Sequence, residues 1–269
     1  METSSCALVT GASRGIGAEV ARRLGASGHF VVLAARGLDG CEAVLDEIRS
    51  AGGEGAALCL DLGDRSSLPN FLEQLEGQVG SRGGLDLLVN NAGIALSAPF
   101  APKGGGHADE AVDRHLEINF HGPRRLIEAL APGMVARGAG AVVNVASSAA
   151  LRGYGYVSAY CASKHALLGY ARAVAEELGP KGVAVHTLCP HYVDSPMLQA
   201  SIDNVVAKTG QSVEEARAFF AAQNPGGALV QPADVADWVA RLAAESGARV
   251  VELDGARAFD VPIHTPTNT

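Results

Sequence analysis

The chain predicts an α/β fold: a single doubly wound domain with a seven-stranded parallel sheet and helices on both faces. Three observations predict it. Short apolar runs alternate with helix-period segments from the first residues onward. Those runs are continuously apolar, as strands buried on both sides require. A glycine-rich turn joins the first run to the first helix, where doubly wound sheets receive nucleotides. Right-handed crossovers then favour doubly wound topologies.

The elements follow in order. Cys6–Thr10 is the first strand and Gly15–Leu24 the first helix, with Ile16, Val20 and Leu24 on one face. Phe30–Ala34 is the second strand; Leu38–Ser50 is a helix stopped by Gly52 and Gly53. Ala56–Leu60 is the third strand, closed by Asp61, and Leu68–Val79 is helical with Pro69 in its first turn. Leu85–Val89 is the fourth strand. Asp109–Phe120 and Arg124–Arg137 are two helical segments divided near Gly122 and Pro123. Ala141–Ala146, Ser158–Leu178 and Val183–Leu188 form strand, long helix and strand. Asp234–Ala244 is a helix and Arg249–Leu253 the seventh strand.

Two stretches interrupt this rhythm. Leu96–His107, rich in Gly and Pro, reads as a loop. Residues 190–227 form an insertion after a strand's carboxyl end, with a capping-box pattern at Ser212 and Glu215 that starts a short helix. The reading is a substrate-covering flap; a structural excursion or an oligomer contact is the alternative. No linker or composition break divides residues 1–269.

Composition excludes several classes. Of 269 residues 48% are apolar, so a sizeable core is expected. The net charge of −8 and the lack of a Lys/Arg run argue against nucleic acid and anionic membranes. No apolar stretch reaches the roughly 18 residues of a membrane helix. Five cysteines without a C-x-x-C pair suggest reduced thiols and a cytoplasmic location, and no signal-peptide pattern opens the chain. Cys161 reads as helix packing rather than a nucleophile. No metal-ligand spacing is present.

The turn runs Thr10, Gly11, Ala12, Ser13, Arg14, Gly15, Ile16, Gly17. Gly11 permits the tight turn; Gly15 and Gly17 let a pyrophosphate approach the helix start. The spacing is Gly-x-x-x-Gly-x-Gly, not Gly-x-Gly-x-x-Gly. No carboxylate ends the second strand, and Arg36 follows it at once. Arg14 and Arg36 together suit a 2′-phosphate, so NADP(H) is expected over NAD(H). The alternative places Arg36 in a surface ion pair. Asp61 is placed to receive an adenine amino group, and Leu62 to line the ring pocket.

Tyr160 and Lys164 share a helix face. A free phenol titrates near about 10, so the expectation is that the Lys164 ammonium draws the Tyr160 pKa down. The pair reads as a proton donor beside a bound nucleotide.

These residues together resemble the short-chain dehydrogenase/reductase family, a Rossmann-type fold. The likeness extends to about Leu253. It rests on Thr10–Gly17, Asp61, Asn90–Gly93, Asn119, Ser147, Tyr160 with Lys164, and Pro190 with Val193 through Met197. The flavour is that of 3-oxoacyl-carrier-protein reductases and hydroxybutyrate dehydrogenases. The resemblance implies Tyr160 as general acid in carbonyl reduction, and Lys164 holding the nicotinamide ribose. It implies Asn119 positioning a water. Asn90, Ala92 and Gly93 would line the adenosine-ribose side, and Pro190, Val193 and Ser195 the nicotinamide side. The family's serine lies three residues after the strand asparagine and thirteen before the tyrosine. Counting from Asn144 and from Tyr160 selects Ser147 over Ser148. The family commonly forms tetramers through two long helices, so a homotetramer or homodimer is implied.

The chain departs from the family at His191, which stands where glycine is usual, at Ala150, and at Asp254-Gly255-Ala256 with the tail beyond. His191 narrows the pocket, bonds substrate or points outward. Arg152, Tyr154, His191, Tyr192 and Met197, with Ile94, Leu151, Gly153 and Tyr156, are expected around a cleft suited to a ring-bearing or acyl ketone. Arg152 meets an anionic substrate group or faces solvent. His115, His121, His165 and His186 read as structural. The expected activity is NADPH-dependent reduction of a ketone or 3-oxoacyl group. An NAD-dependent hydroxybutyrate-type dehydrogenase is the runner-up, and a non-catalytic nucleotide sensor a third reading.

Overall fold

Strand β1 (Cys6–Thr10) shows how the sheet divides the core. In the computed structural model, which describes residues 5–99, 108–255 and 257–262, Cys6 and Leu8 enter one apolar layer and Ala7 and Val9 the other. A strand with both faces covered must be apolar at every position, which explains the unbroken runs. Strands β2 (Phe30–Ala35), β3 (Glu54–Cys59), β4 (Leu87–Asn90), β5 (Gly140–Val145), β6 (Val183–Pro190) and β7 (Val250–Asp254) continue the sheet. The order is β3-β2-β1-β4-β5-β6-β7, all parallel. Since β1 pairs with both β2 and β4, the order reverses there, and the ligand crevice opens above their carboxyl ends.

The sheet holds eight strands, not seven. The additional β8 (Arg257–Val261) pairs antiparallel with β7. Its residues are exposed or half-buried, so it lacks the apolar run that marks the interior strands.

The helices are α1 (Gly15–Ala26), α2 (Asp39–Ser50), α3 (Leu68–Val79), α4 (Ala108–Leu116), α5 (Gly122–Arg137), α6 (Ser158–Leu178), α7 (Pro196–Thr209), α8 (Val213–Gln223) and α9 (Pro232–Ala243). Helices α1, α2 and α9 cover one face through residues such as Leu24, Ile48 and Val239. Helices α3, α5 and α6 cover the other through Phe71, Leu126 and Ala171.

Two expectations change. The break expected near Gly122 and Pro123 is absent: a π turn at Glu117–His121 joins α4 to α5 without interruption. Pro123 is the second residue of α5, just past that turn. The insertion holds two helices rather than one. At Ser212 both halves of the capping box form, at 2.9 and 3.1 Å. Helix α7 starts on the Ser195 side chain, which accepts from the Leu198 N–H at 3.3 Å, with Pro196 next. Leu198, Ile202, Ala216 and Phe220 give the two helices a small core of their own. Of the loop expected at Leu96–His107, residues 100–107 lie outside the described residues, as do Ala256 and the tail beyond 262.

Candidate active site

The glycine turn is held by side chains from β1 and β4. Gly11 has φ +67°, and a Cβ on Gly17 would stand 2.3 Å from the Gly11 carbonyl oxygen. Only glycine fits that approach. The Thr10 hydroxyl accepts from the Asn91 and Ala92 N–H groups at 3.0 and 3.1 Å, and Asn91 Nδ2 donates to the Thr10 carbonyl at 2.9 Å. This Thr10–Asn91 clasp was not legible in the motifs. The first turn of α1 has no acidic residue and no side-chain cap, so its N–H groups are left for an anion. Ser13 packs on Gly40, where a Cβ would meet it at 2.8 Å, and Ile16 packs partly into the apolar layer.

Arg14 and Arg36 are exposed. Neither forms an ion pair within the described residues, so the surface-pair alternative for Arg36 is not found there. Arg36 and Asp61 border an open cleft of about 790 Å³, shared with Arg65, Glu117 and His121. Another cavity, of about 530 Å³, opens at the far end of the sheet beside Ser5, Asp86 and Gly182. Leu62, expected to line a ring pocket, instead packs inward: it is 8% exposed, and a Cβ on Gly122 would meet its Cβ at 2.9 Å. The Asn90 amide donates to Asn144 Oδ1 at 2.9 Å across β4 and β5. Gly93 does face the chemistry. A Cβ there would lie 3.1 Å from Asn119 Oδ1 and 3.7 Å from Lys164 Nζ.

Asn119 sits in the π turn, fully buried. Its Oδ1 accepts from the Ile94 N–H at 2.8 Å, while Nδ2 donates to the Ile94 carbonyl at 2.9 Å and Ser163 Oγ at 3.0 Å. The side chain is thus taken up by protein partners. Tyr160 and Lys164 lie one turn apart on α6. Lys164 Nζ donates to the Val145 carbonyl at 3.0 Å and stands 5.8 Å from the Tyr160 ring centroid.

The electrostatics correct the expectation for this pair. Burial pushes the Tyr160 phenol up to about 12, with the Ser147 hydrogen bond working against it. Burial also pulls Lys164 down to about 8. Desolvation therefore sets the direction of both shifts. The Lys164 shift from 10.5 corresponds to about 3 kcal/mol against the charged form. The shift disfavours the phenolate, so the phenol stays in the form that donates a proton.

The two serines part company. Ser147 Oγ accepts from the Ala149 N–H at 3.1 Å and is hydrogen-bonded to the Tyr160 phenol. Ser148, 3% exposed, pairs with the Tyr154 hydroxyl at 2.9 Å. Beyond it, the Tyr154 and Tyr192 rings meet edge-on at 6.0 Å, and Tyr192 meets Phe220 at 5.1 Å. Burial raises the Tyr192 phenol to about 12. Met197 at the start of α7 is exposed. A bridge from Val193 to Val230 fixes the segment after Pro190. A Cβ on Gly15 would lie 3.1 Å from Pro196, which brings that segment against the glycine turn.

Arg152 and His191, expected at the substrate, converge instead on Glu252 of β7. Arg152 pairs with Glu252 Oε1, and His191 Nε2 lies 2.7 Å from the same oxygen. The His191 side chain is almost fully buried. Glu252 carried no motif, and nothing in the sequence pairs residues so far apart. Asn224 was missed for the same reason. It grips both backbone groups of Tyr192, at 3.0 Å each.

No helix among the described residues is long and apolar enough to cross a membrane. No group of three or more His, Cys, Asp or Glu side chains among them is placed to hold a metal.

A phosphate-ready turn at a topological switch point, beside a neutral phenol, a buried lysine and a serine hydroxyl, defines a nucleotide-dependent oxidoreductase. Comparison with known proteins agrees and goes one step further. The short chain dehydrogenase family model matches residues 5–206. A Streptomyces coelicolor protein described as a ketoacyl reductase is 37% identical over 254 residues, covering 93% of this chain and 94% of that one. The 3-oxoacyl-[acyl-carrier-protein] reductase of Escherichia coli is 31% identical, covering 91% of each chain. The crystal structure of an actinorhodin polyketide ketoreductase variant with NADPH superposes with a TM-score of 0.83 at 34% identity, over 93% of this chain and 96% of that one. The chain belongs to the short-chain dehydrogenase family.

Proposed function

We propose that the chain is an NADPH-dependent ketoreductase that reduces a ketone or 3-oxoacyl group. The observation that carries this reading is the convergence of Ser147, Tyr160 and Lys164, with Lys164 Nζ on the Val145 carbonyl at 3.0 Å and 5.8 Å from the Tyr160 ring centroid. Similarity to ketoacyl reductases, and to a ketoreductase crystallised with NADPH, supports the same activity.

The cofactor fits the residues present. The uncapped start of α1 leaves N–H groups for a pyrophosphate, and the two exposed guanidiniums suit a 2′-phosphate. Gly11, Ser13, Gly15, Ile16 and Gly17 would form its cradle, with Arg14, Arg36 and Asp61 toward the adenosine. Ala92, Gly93, Lys164, Pro190, Val193 and Ser195 would lie toward the nicotinamide. When bound, NADPH supplies a hydride. Ser147 donates to the substrate oxygen and orients the carbonyl. Tyr160 gives its proton to that oxygen as negative charge develops on it. Lys164, charged below about pH 8, stabilises the phenolate left behind. Asn119 fixes the segment at Ile94 beside them. Tyr154, Tyr192 and Met197 form the apolar and aromatic wall that the substrate meets.

Helices α7 and α8 serve as the substrate cover in the same proposal, and the protein assembles as a homotetramer or homodimer in the cytoplasm. It has no role on nucleic acid. The unpaired Arg36 stands against the NAD-dependent alternative. The experiment is a carbonyl panel of 3-oxoacyl thioesters and cyclic ketones, followed by nucleotide absorbance. NADPH oxidation that exceeds NADH oxidation and disappears in Tyr160→Phe is the expected result. NADPH binding without turnover on any carbonyl defeats it and favours a sensor.

A further inference from the structure

His115 is fully buried in α4. Its Nδ1 lies 2.6 Å from the Ala111 carbonyl oxygen, and its Nε2 lies 3.1 Å from the Leu96 backbone nitrogen. A carbonyl can only accept and an amide N–H can only donate. The ring is therefore neutral, with its proton on Nδ1 and its lone pair on Nε2. The same ring stands nearly perpendicular to the Tyr160 ring, with centroids 6.3 Å apart at 74°.

The Leu96 contact has a partner one turn along. Asn119, four residues after His115, holds Ile94, two residues before Leu96. Four residues of helix advance about 6 Å. Two residues of extended chain advance about 6.6 Å. The two side chains thus match two rungs of an extended segment running antiparallel to the helix. A third rung follows, where Ala98 N–H donates to the Tyr156 carbonyl at 2.8 Å, and Asn204 of α7 donates to Ser97 Oγ at 3.0 Å. Residues 94–98 cross between Asn119 and the flap, so they form one wall of the substrate cleft.

We propose that His115 is a positioning residue for carbonyl reduction: its Nε2 registers residues 94–98 against α4. The substrate part of this inference rests on the ketoreductase reading; the registration does not. Removing the acceptor leaves the segment held at Ile94, Ser97 and Ala98 but releases the Leu96 N–H between them. The loss then falls on substrate fit and so on KM, since Ser147, Tyr160 and Lys164 keep their own bonds.

The test compares two amides. A glutamine places its carbonyl oxygen near the Nε2 position and keeps an acceptor for Leu96. An asparagine reaches only the Nδ1 position. His115→Gln is expected to keep most of the activity. His115→Asn is expected to raise the carbonyl KM about tenfold with kcat changed less than about threefold. Exchange of the Leu96 amide, read by hydrogen exchange, accelerates about tenfold in Asn and not in Gln. Equal behaviour of the two variants in both readouts overturns the proposal. The wild-type protein gives a check that no folding failure can obscure. The nitrogen shifts of His115 must report a protonated Nδ1 and a bare Nε2, and an Nε2–H tautomer or an imidazolium at neutral pH also overturns it. If no carbonyl is turned over, the ketoreductase reading fails while the exchange and tautomer results still decide this one.

Discussion

The two halves of the crevice meet at the glycine turn and treat polar groups in opposite ways. Toward β4, β5 and α6, Asn90, Asn119, Ser147 and Lys164 are each bonded to protein atoms, and all but Ser147 are buried. Toward β2 and α2, Arg14 and Arg36 stand exposed with no ion pair among the described residues. Low dielectric strengthens the first set and makes it rigid. Solvent screens the second and leaves it adjustable. Changes in the first half are therefore expected to alter rate, and changes in the second to alter affinity and cofactor choice.

The serine pair tests the rigid half most severely. Ser147→Ala is expected to lower kcat by about 10²–10³-fold, the usual effect of losing one donor to a developing oxyanion. Ser148→Ala, which touches only Tyr154, is expected to cost less than about tenfold and to show it in KM. Similar losses would mean that the serines' roles have been misassigned. In the open half, Arg36→Asp is expected to raise the NADPH KM about 10–100-fold and leave NADH unchanged. An unchanged ratio of the two cofactors would remove Arg36 from phosphate binding.

Lys164 gives the most gradual effect. Its charge is lost above about pH 8, so kcat/KM for reduction falls as pH rises through that value, by about tenfold per unit. Stability moves the other way. The unfolded chain binds this proton more tightly than the fold does, so stability rises with pH between about 8 and 10.5. In Lys164→Met, denaturant midpoints measured across that window should lose the rise. A wild-type midpoint that is flat there would show that burial does not depress this ammonium.

Most of the fold was legible because its signal is local. Each buried strand is an apolar run, and α3 and α6 begin and end where periodicity places them. β8 escaped notice because an edge strand half in solvent has no such run. α7 did too, since its buried contacts reduce to Leu198 and Ile202. In the site, the motif residues could be found by spacing, and Ser147 by counting from either side. The pairing of Arg152 and His191 with Glu252 was not legible because Glu252 is 100 residues from one and 61 from the other. The direction of the Tyr160 shift was misjudged because spacing reveals a neighbouring charge and says nothing about burial.

The wide turn at Glu117–His121 puts one extra residue into an otherwise continuous helix. Each residue of an α-helix turns the chain by about 100°. Deleting one residue there would let the rod wind regularly and swing α4 by about that angle relative to α5. His115 would then rotate off Leu96 while the salt links of Glu117 to Arg65 and Arg125 were pulled apart. The enzyme could be silenced in this way with every reacting side chain still in its sequence, because the aim of the site is stored in the pitch of a single turn.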